Sequence, residues 1–170
     1  MSSGTDRTHI GVVGAAAANT EQLEQARTVG RALANANALL ICGGLGGVMQ
    51  AACEGARQGG GTTVGILPGG DRLDANHFLD VAIPTGLGEL RNGLIVRAAD
   101  ALIAIGGGWG TLSEIAFALR TGCPVVGLGT WQLAEHDGTG IERASEPLDA
   151  VSRALSLARA AHALRTAGPE

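Results

Sequence analysis

The chain has no lysine and no tyrosine, and all 12 of its basic residues are arginine. Without lysine it cannot form a Schiff base through its own side chain, as pyridoxal phosphate enzymes do, and it cannot be a P-loop protein with a phosphate-binding lysine. Aromatic residues are also scarce, because the 170 residues include only two Phe and two Trp. The core must therefore be built from Val, Ile, Leu and Ala.

The chain has only three cysteines, and Cys42, Cys53 and Cys123 form no CxxC pair. This usage is typical of small buried thiols in a reducing cytoplasm, where we expect the protein to be located. The histidines have no second ligand at a metal-site spacing, so we expect no metal site. They are His9, His77, His136 and His162.

The charge balance limits the possible partners. A net charge of −4 argues against binding to nucleic acid or to an anionic membrane. No apolar run approaches the ~20 residues of a membrane span. The first residues, "MSSGTDRTH", lack the apolar core of a signal peptide. We therefore expect a small-molecule ligand.

Short apolar runs alternate with helical patterns along the chain, and strands that are apolar on both faces indicate a parallel sheet covered by helices. Because crossovers are right-handed, we predict an α/β fold with a doubly wound, Rossmann-like parallel sheet. The prediction is a single domain over 1–170, with flexible ends at 1–8 and 166–170. The predicted strands are 9–14, 38–44, 62–68, 78–84, 101–106 and 124–129, and the predicted helices are 20–36, 47–60, 89–99, 112–121 and 147–164.

Four glycine-rich segments each follow a predicted strand. They are "GAAAAN" (14–19), "CGGLGGVM" (42–49), "PGGDR" (68–72) and "GGGWGT" (106–111). Because parallel strands all end at the same edge of the sheet, the four segments are expected to meet there, where such sheets bind ligands.

The segment "GGGWGT" leads directly into a helix, so its backbone N–H groups can bind an anion. Thr111 can add a hydroxyl donor. With no lysine or Walker loop to hold a longer chain, we assign a single phosphate to Gly107, Gly108, Trp109, Gly110 and Thr111. The alternative is a tight turn that serves only to join strand and helix.

Two charged residues near this segment have competing interpretations. Glu114 either faces the ligand or closes a capping box with Thr111, as the spacing of "TLSE" allows. Arg91 offers a rigid fork for phosphate, but a single helical Arg is often a solvated surface residue. Asn92 and Arg97 carry the same alternative.

The segment "GGLGGVM" is close to a dinucleotide fingerprint, yet Met49 replaces its third glycine, so NAD is not expected.

The stretch "RNGLIVRAADALIAIGGGWGTLSE" (91–114) resembles the signature of the LOG family, once labelled "possible lysine decarboxylases". That signature has an Arg nine residues before an Asp, then an apolar strand and a PGGxGTxxE motif. Arg91 and Asp100 keep the spacing, residues 107–114 reproduce GGxGTxxE, and "GGLGGVM" resembles the family's earlier glycine loop. The likeness covers about residues 9–130. Without lysine, the old decarboxylase label does not apply.

Characterised members of that family are phosphoribohydrolases, which release the base from AMP or from cytokinin riboside 5′-monophosphates. The resemblance implies that Arg91 and Glu114 form the catalytic pair, with no cofactor. It also implies that the glycine loops contact the nucleotide. The ligand-contacting residues would be Gly14, Gly43, Gly44, Gly46, Gly47, Met49 and Asn92.

The sequence departs from the signature at two positions. Gly106 replaces the proline of PGG, and Asn92 follows the arginine where cytokinin-forming members have lysine. In both respects the chain is similar to a sister group, the molybdenum cofactor carrier proteins, whose glycine loops hold a pterin monophosphate. The alternative function is therefore a carrier of molybdenum cofactor, which would be its bound ligand.

Three further features are less specific. Trp109 suits either a lid over a flat ring or a packing contact. The loop "PGGDRLDANHF" could bring Asp71, Arg72, Asn76 or His77 to a ligand. Related proteins are dimers or larger assemblies, so we expect a homo-oligomer, with the apolar face of 147–164 as a candidate contact.

Overall fold

Seven parallel strands form one sheet in the computed structural model, which describes residues 7–134 and 138–166. The predicted α/β class and Rossmann-like parallel sheet are confirmed. The strands are β1 (His9–Gly14), β2 (Leu39–Cys42), β3 (Thr62–Leu67), β4 (Val81–Pro84), β5 (Ala101–Ile105), β6 (Val125–Leu128) and β7 (Glu142–Ala144). The helices are α1 (Thr20–Asn35), α2 (Val48–Gln58), α3 (Asn92–Ala98), α4 (Trp109–Arg120) and α5 (Pro147–Thr166).

The strand order is β4-β3-β2-β1-β5-β6-β7, and every neighbouring pair is parallel. After β1 the chain builds outward through β2, β3 and β4, then returns to the other side of β1 to form β5. Gly14 and Ile105 end the two central strands in register. Connections therefore leave β1 and β5 in opposite directions, which opens a crevice at the carboxyl edge.

Helices cover both faces of the sheet. On one face α1, α2 and α5 enclose a cluster that includes Ile10, Val12 and Leu40, and on the other α3 and α4 cover Val13 and Leu102. The buried apolar side chains are almost all aliphatic, as the composition requires. Strands buried on both faces explain the continuous apolar runs in the sequence.

Helix α5 lies on the sheet of its own chain. Val151, Ala154 and Ala158 are buried, and α5 contacts α1, β5 and β6. The prediction that this apolar face contacts a second subunit is therefore wrong, because the face is already covered. Of its large apolar side chains that the structure describes, only Leu148 is prominently exposed.

A few boundaries differ from the prediction. The strand β7 lies in a segment expected to be a polar loop, because its three residues carry two charges and no apolar run. Helix α4 begins three residues earlier than expected. Residues 1–6 and 167–170, most of the ends expected to be flexible, lie outside the described residues. Arg7, by contrast, donates hydrogen bonds to the backbone oxygens of Asn37 and Ala38 and to Thr62 Oγ1.

Among the described helices, none has both the length and the apolar character needed to cross a bilayer.

Cys42 and Cys53 are buried free thiols with their sulfur atoms 3.5 Å apart, and Cys123 is half-buried.

Candidate functional site

A cavity of about 350 Å³ opens at the carboxyl edge of the sheet, where β1 and β5 diverge. The loops after β1, β2, β3 and β5 all reach it, so the expected convergence of the four glycine-rich segments is observed. The lining residues are Gly14, Ala15, Ala16, Leu45, Met49, Pro68, Glu89, Arg91, Asn92, Gly108, Gly110, Thr111 and Glu114.

The first turn of α4 faces this cavity. Gly108 is the N-cap, and no side chain caps the helix. The Thr111 side chain is 4% exposed and lines the cavity, yet its hydroxyl has no hydrogen-bond partner among the described residues. The uncapped amides of Gly110 and Thr111 and this free hydroxyl form an arrangement suited to an anion.

The capping-box interpretation of Glu114 is wrong. With Gly108 as N-cap, Thr111 is the third helical residue and Glu114 the sixth, so the two do not close on each other. Glu114 lies one turn further along α4, is 7% exposed, and lines the cavity.

Arg91 and Glu114 form a loose buried pair. Their nearest nitrogen and oxygen atoms are 3.9 Å apart, and each side chain is only 9% exposed. The surface interpretation of Arg91 is therefore wrong, although that of Arg97 is right because Arg97 is exposed, above the ring of Phe117. Glu114 accepts no hydrogen bond from the described residues, so the loose ion pair with Arg91 compensates the desolvation of its carboxylate only in part.

The electrostatics follow from this burial. Desolvation raises the pKa of Glu114 to about 7, and the positive charge of Arg91 only partly opposes the effect. Desolvation also lowers the pKa of Arg91, with Glu114 opposing. A carboxyl that titrates near neutrality in a cavity is suited to proton transfer or to stabilising a developing cation.

The three nitrogens of the Arg91 guanidinium differ in their contacts. One terminal nitrogen, Nη1, donates to Asn92 Oδ1, and Nη2 donates to the Gly43 carbonyl at 3.4 Å. The Nε atom has no partner among the described residues.

The glycines of the turn before α4 have two different roles. Gly106 and Gly107 have φ angles of 55° and 122°, and an added Cβ would meet the Gln22 amide at 2.2 Å or the Thr111 side chain at 2.6 Å. Around Gly108 and Gly110 an added Cβ would meet nothing within 4 Å. The first pair is thus required by the protein itself, whereas the second leaves open space facing the cavity.

This geometry explains one departure from the LOG signature. Proline fixes φ near −65°, so it cannot occupy the conformation of Gly106, whose φ is 55°. The carbonyl of Gly106 also accepts a hydrogen bond from the Thr130 hydroxyl. The turn therefore has its own conformation, matched to glycine.

The earlier glycine loop shapes the site more than it lines it. Gly43 lies against Arg91 and Met49, and Gly47 fits against the carbonyls of Ala15 and Ala16, where an added Cβ would be 2.3 Å from either oxygen. Of the predicted ligand contacts, three line the cavity: Gly14, Met49 and Asn92. The others do not line it: Gly43, Gly44, Gly46 and Gly47.

Two predicted phosphate-binding residues also lie outside the lining, namely Gly107 and Trp109. Trp109 is 78% exposed at the rim, and its ring centroid is 5.2 Å from that of Trp131. Trp131 Nε1 donates to the Gly108 carbonyl at 3.2 Å, which fastens the turn.

The loop after β3 contributes only its first residue, Pro68, to the lining. Asn76 instead bonds the neighbouring loop, through its backbone N–H to Gly44 O and its side chain to Leu45 O. Asp71 accepts a hydrogen bond from the Leu73 amide.

Sequence reasoning did not single out Ala15, Ala16, Leu45, Pro68 or Glu89 as ligand contacts. Apart from Glu89 they are apolar and carry no chemical signal, although all but Glu89 occur in or beside the glycine-rich segments. Within the described part of the chain, no three His, Cys, Asp or Glu side chains are grouped to hold a metal ion.

The fold and the position of the cavity place the chain among the Rossmann-like α/β proteins that bind ligands at the switch point of a parallel sheet. Residues 7–158 match the SLOG cluster4 family, and the chain belongs to that family. The predicted likeness to LOG-like proteins is thereby confirmed.

Two sequence relatives show the breadth of the likeness. The chain is 48% identical over 119 residues to an uncharacterized protein of Archaeoglobus fulgidus, covering 70% of this chain and 78% of that one. It is 36% identical over 123 residues to a cytokinin riboside 5′-monophosphate phosphoribohydrolase of Mycobacterium tuberculosis, covering 66% and 65%.

Two solved structures are similar over nearly their whole length. The molybdenum cofactor binding protein of Rippkaea orientalis has a TM-score of 0.82 and 34% identity, covering 89% of this chain and 97% of that one. The molybdenum cofactor carrier protein of Chlamydomonas reinhardtii has a TM-score of 0.81 and 35% identity, covering 89% and 98%.

Proposed function

We propose that the protein is a phosphoribohydrolase that cleaves the N-glycosidic bond of a nucleoside 5′-monophosphate, AMP or a cytokinin riboside monophosphate. The observation that carries the proposal is Glu114, a buried carboxylate at the cavity with no hydrogen-bond donor among the described residues. A merely structural carboxylate at that depth would be expected to have partners. The hydroxyls of a ribose or a water molecule would supply such donors.

The remaining cavity groups suit the rest of such a substrate. The uncapped amides of Gly110 and Thr111 and the Thr111 hydroxyl would hold the 5′-phosphate. Leu45, Met49 and Pro68 offer an apolar wall for a base. The substrate would then span the cavity from phosphate to base, with its sugar beside Glu114.

Glycosidic cleavage passes through a state in which positive charge develops on the sugar. An ionised Glu114 would stabilise that charge and accept a proton from the attacking water, whose oxygen bonds to the sugar carbon. The leaving base would depart with the bonding electrons and take up a proton from Glu114 or from solvent. Arg91 would orient the carboxylate through their ion pair. The products would be the free base and ribose 5-phosphate, without a metal or cofactor.

The second candidate is a non-enzymatic carrier of molybdenum cofactor. It is favoured by the two solved structures above, which match this chain at 34% and 35% identity and nearly full coverage. The same anion site would hold the phosphate of the pterin. In that case Glu114 would hydrogen-bond the ligand without performing chemistry.

One experiment separates the candidates. The purified protein is incubated with AMP and with cytokinin riboside monophosphates, and free base is measured by chromatography; molybdenum and pterin in the purified protein are measured by mass spectrometry. The hydrolase predicts base release that is lost in Glu114→Gln and kept in the exposed-surface control Glu21→Gln. Bound pterin with no base release from either nucleotide would replace the enzyme with the carrier.

We also propose that the protein self-associates next to this site. Leu87, Leu90 and Leu94 are exposed to 48%, 83% and 42%, and they lie in the same short segment as the cavity residues Glu89, Arg91 and Asn92. Exposed leucines this close together are typical of an interface. Sedimentation should give a dimer or larger species, and Leu90→Arg should reduce it to a monomer.

A further inference from the structure

Asn92 uses both ends of its amide on the protein itself. Its Oδ1 accepts a hydrogen bond from Arg91 Nη1, and its Nδ2 donates to Ser113 Oγ at 3.1 Å. Ser113 Oγ in turn donates to the Gly110 carbonyl at 2.7 Å. Three consecutive hydrogen bonds thus connect the guanidinium of Arg91 to the first turn of α4.

The other contacts of Arg91 are too weak to fix its guanidinium. The bond from Nη2 to Gly43 O is 3.4 Å long, and the nearest Glu114 oxygen is 3.9 Å away. Nε has no partner among the described residues. Because arginine has a long flexible stem, its head group is held in one place only where the protein contacts it closely.

We infer that Asn92 is a positioning residue, which acts through Arg91 and does not itself bind the ligand. Asn92 holds the guanidinium, and Ser113 ties Asn92 to the turn that faces the anion. This inference rests on the proposed function for its catalytic consequence, and it changes the role of Asn92 from the ligand contact that the resemblance implies.

The three hydrogen bonds act in series, so variants of Asn92 and Ser113 should show a recognisable pattern of effects. If Asn92 is lost, the contribution of Ser113 to Arg91 is lost with it, so the two changes should not be additive. Asn92→Asp is informative because a carboxylate still accepts from Arg91 but cannot donate to Ser113. It also adds a negative charge beside Arg91, so Arg91 stabilises the ionised form of Glu114 less.

The first experiment measures base release from AMP by the wild type and by Asn92→Ala, Ser113→Ala and the double variant. Loss of a hydrogen bond to a charged group should lower kcat by about tenfold to a hundredfold in Asn92→Ala and by about threefold in Ser113→Ala. The double variant should be no worse than Asn92→Ala alone. The Kd for inorganic phosphate should stay within about twofold of the wild type in all three.

The pH profile of Asn92→Asp gives a second catalytic readout. Its acid limb should move to higher pH, whereas that of Ser113→Ala should stay in place. Asn35→Ala, on the exposed end of α1, is the matched control for loss of an asparagine and should match the wild type in every assay.

The second experiment does not need activity. The Nε–H signal of Arg91 in a nitrogen-edited NMR spectrum is assigned by its loss in Arg91→Ala. Because a held guanidinium exchanges slowly, the wild type should give a narrow signal that broadens or disappears in Asn92→Ala. An unchanged signal in Asn92→Ala overturns the inference, whether or not the wild type hydrolyses AMP. Absence of base release from the wild type overturns the proposed hydrolase alone.

Discussion

Two Arg–Glu pairs in this protein have the same chemistry and opposite geometry. Arg27 and Glu54 join α1 to α2 with a 2.7 Å contact, and their side chains are 32% and 27% exposed. Arg27 also contacts Glu24 at 3.3 Å. Arg91 and Glu114 are 3.9 Å apart, much more deeply buried, and Glu114 has no other polar partner among the described residues.

The comparison separates an ion pair that serves the fold from one that, in the proposed function, serves a ligand. A close, solvated pair contributes modestly to stability and raises the pKa of Arg27, mainly through its hydrogen bond with Glu54. A loose, buried pair destabilises the folded chain because the attraction between the two charges is weaker than the hydration that they lose on burial. Such a pair persists where something else completes it, which in the proposed function is the substrate.

The largest expected difference between the pairs is in catalysis. Glu114→Ala and Arg91→Ala should each lower base release from AMP by at least about a hundredfold, because each removes a group that acts in the transition state. Glu54→Ala and Arg27→Ala are the matched controls and should keep nearly full activity. Steady-state assays of the four variants test this, and equal losses in both pairs would contradict it.

The second difference is in the pH dependence of stability. The pKa of Glu114 is raised from 4.5 to about 7, so the folded state binds a proton that the unfolded chain releases. Stability should therefore fall as pH rises from about 4.5 to about 7, and Glu114→Gln should recover up to about 3 kcal/mol above pH 7 and almost nothing below pH 4. Denaturant unfolding at several pH values measures it, with Glu54→Gln as the control.

Activity should change in the opposite direction over the same range. Because the proposed mechanism needs the ionised carboxylate, base release should rise as pH increases through about 7. An activity that is flat between pH 5.5 and about 8.5 would remove Glu114 from the role assigned here.

A third prediction extends the comparison to two glycines on either side of the start of α4. Gly107→Ala should destabilise the fold by about 2 kcal/mol, because of its positive φ and its contact with Thr111. Gly110 lies in helix α4 with space around it. Gly110→Ala should therefore raise the free energy of unfolding by up to about 1 kcal/mol and yet weaken phosphate binding about tenfold. Thermal unfolding and calorimetry with inorganic phosphate separate the two effects. If Gly110→Ala binds phosphate like the wild type, the turn is not the anion site.

The smallest expected effect belongs to the surface pair. Arg27→Ala should lower the free energy of unfolding by about 1 kcal/mol or less, and added salt should reduce the difference. Unfolding curves at low and high ionic strength measure it. A loss of several kcal/mol would mean that α1 and α2 depend on this contact more than its exposure indicates.

The sequence predicted the sheet and the edge that holds the cavity because both follow from regular patterns. Apolar runs separated by helices require parallel strands, and glycine segments after strands must share an edge. The strand β7 was not predicted, because its three residues include two charged ones and carry no such pattern, and its pairing depends on β6.

Side-chain roles were harder to predict, because spacing does not tell which way a residue points. The spacing of Thr111 and Glu114 fits a capping box. The structure excludes that capping box because the N-cap of α4 is Gly108. Likewise the sequence could not show that the side-chain amide of Asn92 hydrogen-bonds to Arg91 and Ser113. The role of Gly106 and Gly107 depends on Gln22 and Thr111, of which the first is distant in the sequence.

The two indoles at the rim give the protein a built-in optical reporter. The chain has no tyrosine, and both of its tryptophans lie beside the turn before α4, with Trp131 hydrogen-bonded to the Gly108 carbonyl. Essentially all ultraviolet emission therefore originates beside the turn that faces the cavity. Titrating an unlabelled ligand while following that emission would measure occupancy directly, without a dye or an engineered probe.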